Sequence, residues 1–400
     1  MLLHDKYIFI IGPARFDAPI ETTTYTIARH LAKNNKVFYI DYPITWRDCL
    51  KYWKTDIVKK RKSFFNPFSS EILKSQVNNL DIIITPPLVS INFLPEGGLY
   101  RLLLKINEAI IIKRVKRVIR RNKVADFIYI NSFNFHYPDI AKGIKPFFTV
   151  YHCVDPLVIA HDTRHGIVSE EILVTGSDMV ICTSQQLYKE KKPLNEHTFF
   201  VPNAADITHS SKALQNDLPV HEAIAHLKRP IIGYFGNIER RMDYDLLKEV
   251  VASNPDKSFV FAGPTSPEFI PEWFFNTPNI YLTGALPYNQ MPSMVKGFDI
   301  ALIPFKKDDV SATIFPLKLF EYLGAGKPVV ATNFNPDLRE FTQDTVTYCN
   351  NATAFSVAIN EALLNDNEQR KQERLHIASQ NTWEKRGNEL SELIASHLPA

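Results

Sequence analysis

The chain has 400 residues, 45% of them hydrophobic and 22% charged; that is too long for one hydrophobic core and ordinary in composition for a soluble protein of two or three domains. Its net charge of +3 by itself predicts neither a nucleic-acid binder nor an acidic solvating chain. The charge is uneven, however: residues 1–200 carry +9 and residues 201–400 carry −6, with +12 in the first 150, which points to two domains with different partners.

Cys49, Cys153, Cys182 and Cys349 are widely spaced and form no C-x-x-C pair, so a reduced, cytosolic setting is expected. The apolar start at residues 7–11 runs into Gly12-Pro13, and the apolar stretch 81–95 is broken by Pro86-Pro87. Neither suits a signal-peptide core or a bilayer span, and the expectation is a cytoplasmic-type protein without a transmembrane segment.

Short β-rich runs alternate with longer amphipathic ones. Strands are predicted at 7–12, 36–41, 80–85, 127–130, 147–151, 179–183 and 199–201, with helices at 21–33, 100–122 and 184–192 between them. From 202 to 230 the chain is polar and reads as a linker carrying a short helix at 220–227. Alternation resumes with strands at 231–235, 258–262, 279–283, 300–304 and 328–332 and helices at 243–253 and 317–323; a last helix opens at Thr382 and ends at His397. This predicts an α/β protein of two Rossmann-like domains: 1–202, a linker at 203–229, 230–380, and a C-terminal helix at 381–400. Parallel sheets bind ligands beyond the carboxyl ends of their strands, so two such domains are expected to face across a cleft.

A glycine turn follows the first strand of each half, at Gly12 and at Gly236. Such a turn lets backbone approach a phosphate, or serves only a tight strand-to-helix connection. More specific is the run 311–332, S-A-T-I-F-P-L-K-L-F-E-Y-L-G-A-G-K-P-V-V-A-T. Pro316 suits a helix start, Leu317 opens the helix, and Lys318 and Glu321 at i, i+3 spacing share a face near its beginning. Free amides with a cation beside them can hold a diphosphate without a metal, and a carboxylate one turn on can accept from two ribose hydroxyls. Alone, Lys-x-x-Glu is more often a surface pair.

The surroundings favour the functional reading. The stretch resembles the donor-binding signature of two-domain GT-B glycosyltransferases, and further landmarks follow in order: residues 151–155 (Y-H-C-V-D), Glu170-Glu171, 176–184, 201–206, 232–238, 282–288 and 299–305. The likeness is to bacterial enzymes of surface-polysaccharide synthesis, of the teichuronic-acid and xanthan-glucuronosyltransferase kind. It implies a sugar transferred from a nucleoside diphosphate donor, a UDP-sugar, to a lipid-linked or oligosaccharide acceptor, with no cofactor and no metal. It implies that Lys318 and the amides of Gly236 and Asn237 hold the diphosphate, that Glu321 holds the ribose, and that Gly284 to Leu286 offer backbone groups to the base. Gly12 and Arg15 are the implied acceptor-side loop. Asp155 would be the catalytic base, with His152 orienting it or the sugar; the plain alternatives are a turn-capping aspartate before Pro156 and a structural histidine. Where many retaining relatives carry a first glutamate, this chain has Thr313, and inversion is expected. Arg241, within Glu239-Arg240-Arg241, stands near where relatives place a diphosphate-binding cation.

The basic half carries two clusters. Residues 101–123 hold nine Lys or Arg against one acid, and Lys59, Lys60, Arg61 and Lys62 lie among Tyr52, Trp53, Phe64, Phe65 and Phe68. Both suit an anionic membrane surface, with Lys59 to Lys62, Arg117, Arg120 and Arg121 facing it; the helix could equally be a packed element with a solvated basic side. Peripheral association with the inner face of the cell membrane is expected, and nucleic acid is not. Two other readings stay open: a sugar-nucleotide epimerase of the same fold, and a non-catalytic glycan- or nucleotide-sugar-binding subunit.

Overall fold

The computed structural model describes residues 1–18, 22–66, 70–158 and 160–399, without the side chains of residues 160 and 161. Glu21, where the second predicted element begins, and Phe68 of the aromatic cluster lie outside the described residues. The chain divides into two units, residues 1–202 with 387–400, and residues 203–386.

The first unit holds an eight-stranded sheet: β1 (Tyr7–Ile11), β2 (Lys36–Ile40), β3 (Ile72–Lys74), β4 (Leu80–Ile83), β5 (Phe127–Ser132), β6 (Phe148–Cys153), β7 (Met179–Cys182) and β8 (Thr198–Phe200), in the order β3-β4-β2-β1-β5-β6-β7-β8. All neighbours are parallel except β3, which pairs antiparallel with β4 at the edge. The inner strands are continuous apolar runs such as YIFII and KVFYI, the pattern of a sheet covered on both faces. Helices Thr23–Leu31, Gly98–Arg121 and Ala160–Gly176 supply cover. On Gly98–Arg121 the residues Tyr100, Leu104, Ile111, Val115 and Val118 turn into the core.

The second unit holds a six-stranded parallel sheet: β9 (Ile231–Phe235), β10 (Ser258–Ala262), β11 (Ile280–Gly284), β12 (Ile300–Ile303), β13 (Val329–Thr332) and β14 (Val346–Cys349), in the order β11-β10-β9-β12-β13-β14. Residues 203–229, expected to be a linker, instead pack into this unit. Ile224 is fully buried in its core, and Ala205 N donates to Asn381 O at 3.1 Å. The final helix, Trp383–His397, gives its residues from Gly387 onward to the first unit. There Leu3 N donates to Ser391 Oγ at 2.8 Å and His30 Nε2 lies 3.0 Å from Asn388 Oδ1.

Among the described residues, two strands, three long helices and several helices of four to six residues lie outside the expected elements. β3 is a three-residue edge strand in polar surroundings. β14 (VTYC) alternates too weakly to signal, with only Val346 and Cys349 buried. The helix Ala160–Gly176 carries no clean apolar stripe, whereas Ala352–Asn365 and Glu368–Gln380 each start behind an asparagine whose side chain accepts from a first-turn amide, Asn351 from Ala354 N and Asn367 from Arg370 N, a start signal present in the sequence.

Candidate functional site

In the second unit the helix Leu317–Gly324 opens directly after Pro316, which sits at its N-cap in an extended conformation. The amides of Leu317 and Lys318 precede the first intrahelical bond, whereas Leu319 N donates to Pro316 O at 3.2 Å. Lys318 reaches back to the end of β9, where Nζ donates to Tyr234 Oη at 2.5 Å and stands 4.1 Å from the centre of that ring. Tyr234 in turn donates to Asn237 O at 2.9 Å. Tyr322, one residue past Glu321, pins the same helix to β9: its hydroxyl accepts from Phe235 N at 2.7 Å and donates to Phe235 O at 3.3 Å.

Gly236 lies between strand and lysine. Its φ is +146°, a conformation L side chains rarely adopt, and a Cβ there would stand 2.3 Å from Lys318 Nζ, so with a side chain there the ammonium would have to move. The amide of Gly236 does not point to a ligand, contrary to expectation: it donates to Ala262 O at 2.8 Å, and the residue's contribution is the missing side chain. Gly263, at φ +149°, repeats the device; a Cβ there would meet Gly236 O at 2.1 Å. Gly263 N donates to Gly284 O at 2.9 Å, so the turn at Gly284, φ +74°, is tied to the same backbone. Leu286 anchors that loop against the apolar core.

The electrostatics follow from enclosure. Lys318 and Glu321 are both partly exposed, but the surrounding protein displaces enough water to move each. Burial pushes the Lys318 ammonium down to about 7 against the opposing pull of Glu321, with Arg241 adding to the fall and Glu239 resisting it. Glu321 is pushed up by burial and held back by the Tyr288 hydroxyl and by Lys318. Tyr288 Oη donates to Glu321 Oε1 at 2.6 Å, and His209 stacks on Tyr288 at 4.4 Å while its Nε2 lies 2.9 Å from Tyr288 O. Of the two arginines after Glu239, Arg241 is the one whose charge acts on Lys318; its Nε lies 3.0 Å from Glu239 Oε1. Thr313 is buried and its hydroxyl donates to Val310 O at 2.6 Å, so its proton closes its own turn.

Residues 220–380 match the family described as glycosyl transferases group 1. Most of the second unit therefore resembles a group 1 glycosyl transferase domain. Over 200 residues the chain is 29% identical to a putative teichuronic acid biosynthesis glycosyltransferase, TuaH, of Bacillus subtilis, covering 46% of this chain; the match spans half the length of that relative. Across almost the whole chain the fold is that of GT-B glycosyltransferases. A UDP-forming trehalose-phosphate synthase from Burkholderia xenovorans matches with a TM-score of 0.70 at 10% identity, covering 99% of this chain and 100% of that one. The Anabaena protein HepE in complex with UDP matches at 0.64 and 14%, covering 98% and 100%. A sucrose-phosphate synthase from Thermosynechococcus elongatus matches at 0.65 and 14%, covering 98% of each chain.

In this unit, Tyr234 and Tyr288 fall within the quoted landmarks but are given no role by the sequence, and Gly263 and His209 are not singled out by it. Only Gly263 had an available signal, a Gly-Pro turn directly after a strand. The tyrosines matter through hydroxyl contacts that their neighbours in sequence do not reveal.

In the first unit, Asp155 is exposed in the loop beyond β6. His152, inside that strand, is buried: its Nδ1 lies 3.0 Å from Ser132 Oγ, which lies 2.8 Å from Thr24 Oγ1. Burial pushes the imidazole down to about 4, so it is neutral at physiological pH. Gly12 is required by packing, since a Cβ would stand 2.6 Å from Thr24 Cγ2, and its carbonyl accepts from Asn134 Nδ2 at 2.9 Å. Arg15 Nε lies 3.8 Å from Asp17.

Of the expected membrane-facing cations, Lys59, Lys60, Lys62, Arg120 and Arg121 are exposed, and Arg61 needs correction. Arg61 is 1% exposed: Nε donates to Asp41 Oδ2 at 2.6 Å, Nη2 donates to Asp17 Oδ1 at 2.6 Å, and the guanidinium stands 5.0 Å from the Phe16 ring. The buried Asp41 and the largely enclosed Asp17 need a charge between them, and Arg61 is that charge. Lys60 is 3.5 Å from Asp17, while Lys59 and Lys62 are exposed. Tyr52 and Phe65 turn inward onto Ile44, Cys49 and Val58. At the end of the basic helix, Arg117 and Arg121 converge on the buried Glu71, at 3.8 and 2.5 Å, together with buried Arg114; Arg120 is exposed.

Proposed function

We propose that the chain transfers a sugar from a UDP-sugar to a hydroxyl of a lipid-linked or growing glycan in bacterial surface-polysaccharide synthesis, acting at the inner face of the cell membrane. The observation that carries this reading is the second unit's Lys318, standing against the side-chain-free Gly236 at a helix start with Glu321 one turn on. A diphosphate there neutralises Lys318 and meets the first amides of the helix, while the ribose hydroxyls donate to Glu321.

The chemistry is a displacement at the anomeric carbon. Asp155 accepts the acceptor hydroxyl proton, the acceptor oxygen bonds to C1, and the C1–O bond to the β-phosphate breaks. UDP leaves with the electron pair, its added charge stabilised by Lys318. An attack with the base on the acceptor side inverts C1. His152, buried and bound to Ser132, supports the strand that carries Asp155.

Asp155→Asn tests the assignment: transfer is lost by at least about 100-fold while UDP binding by calorimetry is unchanged. Full turnover in the variant removes Asp155 from the mechanism, and an α-linked product from an α-donor, seen by NMR, removes inversion. Interconversion of sugar nucleotides without acceptor would identify an epimerase instead.

A further inference from the structure

Large apolar side chains of the first unit crowd one rim of its sheet in the open. Trp46, Leu50 and Trp53 are spaced i, i+4, i+7 along the helix Trp46–Lys51 and the turn after it, and are 58%, 81% and 57% exposed. The opposite side of this helix holds Cys49 in a small core. Phe93, 69% exposed, lies in the turn before the helix Gly98–Arg121, and Leu102 and Ile106 stand out from that helix's first half.

Hydrogen bonds make these segments neighbours. Trp46 N donates to Leu88 O at 2.9 Å, and the next residue, Val89, exchanges two bonds of 2.9 Å with the side chain of Asn107, beside Ile106. Exposed Ile167 and Val168 belong to the same region, because His165 stacks on Tyr100 at 3.6 Å and Ser169 Oγ accepts from Arg101 Nη1 at 3.0 Å.

Topology places the rim. These segments follow β2, β4 and β6 of a parallel sheet, so they start at the carboxyl ends of the strands, the edge from which Asp155 leaves β6 and Gly12 leaves β1. Arg47, Lys51, Lys54 and Lys105 are exposed among the apolar groups; of the acids there, Glu96 is held by Arg101 and His165, Asp48 accepts from Thr45, and Asp56 stands 3.9 Å from Lys59. Grouped exposed apolar side chains mark a docking surface. Tryptophans interleaved with cations match the headgroup boundary of an anionic bilayer in both polarity and charge. Among the described residues no helix is long and apolar enough to cross a membrane, which fits a surface that lies on one.

We propose that this rim docks on an anionic lipid bilayer, bringing the edge that carries Asp155 to the plane where a lipid-linked sugar is presented. The role given to the surface rests on the transferase reading; its binding to lipid does not.

The test is partition of the full chain onto vesicles of phosphatidylcholine with phosphatidylglycerol, against pure phosphatidylcholine. The chain is expected to bind the anionic vesicles preferentially, with a blue shift of tryptophan emission. Trp46→Ser/Leu50→Ser/Trp53→Ser and Lys51→Gln/Lys54→Gln/Lys105→Gln are each expected to weaken partition by about tenfold or more. Phe269→Ser/Phe275→Ser, exposed apolar residues of the second unit, leave it unchanged. Retained UDP binding shows that each variant is folded, and absence of UDP binding in the parent chain would instead count against the transferase reading. Failure of the parent chain to bind either vesicle, or equal binding by the rim variants, overturns the proposal. So does a lipid-free dimer that the Trp46/Leu50/Trp53 variant dissociates, which would assign the rim to a second copy.

Discussion

A lysine near pKa 7 in the proposed diphosphate site makes affinity depend on pH in a definite direction. Burial holds Lys318 down to about 7 in the free protein, so it is about half charged at pH 7 and about one-tenth charged at pH 8. A bound diphosphate restores the charge and returns the group toward its ordinary value of 10.5, and binding above pH 7 must therefore draw a proton from solvent. Between pH 7 and 9 the affinity for UDP is expected to fall about 50-fold, or about 2.3 kcal/mol. The phosphate itself is fully ionised over that range, its last pKa being about 6. Calorimetry in HEPES and in Tris at pH 8 should show uptake of about 0.9 proton per UDP. Affinity constant within about twofold from pH 7 to 9, with the same enthalpy in both buffers, would refute the placement of Lys318 against the diphosphate. The same shift acts on the free protein with opposite consequence. Because the folded state binds this proton less tightly than the unfolded chain, ligand-free stability rises as pH goes from about 7 toward 10.5.

Three further outcomes follow from the same geometry. Lys318→Met removes a group whose charged form the fold disfavours, so at pH 7 it should stabilise the ligand-free protein by on the order of 1–2 kcal/mol while reducing UDP affinity, read by thermal melting with and without UDP. Gly236→Ala places a methyl where Lys318 Nζ stands and strains a backbone at φ +146°; UDP affinity should drop at least about tenfold, whereas unchanged affinity would show that the lysine can work from elsewhere. Arg61→Leu strands Asp17 and Asp41 and should cost about 3–5 kcal/mol in urea unfolding, against about 0.5 kcal/mol or less if Arg61 were a surface cation.

The alternating apolar and amphipathic runs made both sheets legible, since a buried parallel strand such as YIFII announces itself without reference to the rest of the chain. Helical spacing put Lys318 and Glu321 on one face, but only the resemblance of the surrounding run marked that pair as a candidate site. Distance along the chain is what hid the rest. Nothing near Lys59-Lys60-Arg61-Lys62 signals that Asp41 and Asp17, 20 and 44 residues earlier, close on the middle cation, and nothing in the basic helix signals that Glu71, 50 residues before Arg121, gathers its arginines. A local charge run therefore overstated the exposed cations there. The exposed tryptophans show the reverse case: Trp53 read as part of a basic loop, while its partners Trp46 and Leu50 become visible as a set only once the helix Trp46–Lys51 and its buried Cys49 fix which side faces out.

The last helix gives the chain an order of events during synthesis. Residues 203–386 are contiguous, so the second unit has all its parts as soon as Arg386 has left the ribosome. The first unit, although made first, waits for the end of the chain: Gly387 lies against the His30 ring, where a Cβ would stand 2.3 Å away, and Ser391, Leu390 and Ile394 are buried in it. Until then its surface around Leu3 and His30 stays uncovered, and a chain stopped at residue 386 carries a complete second unit and an unfinished first one.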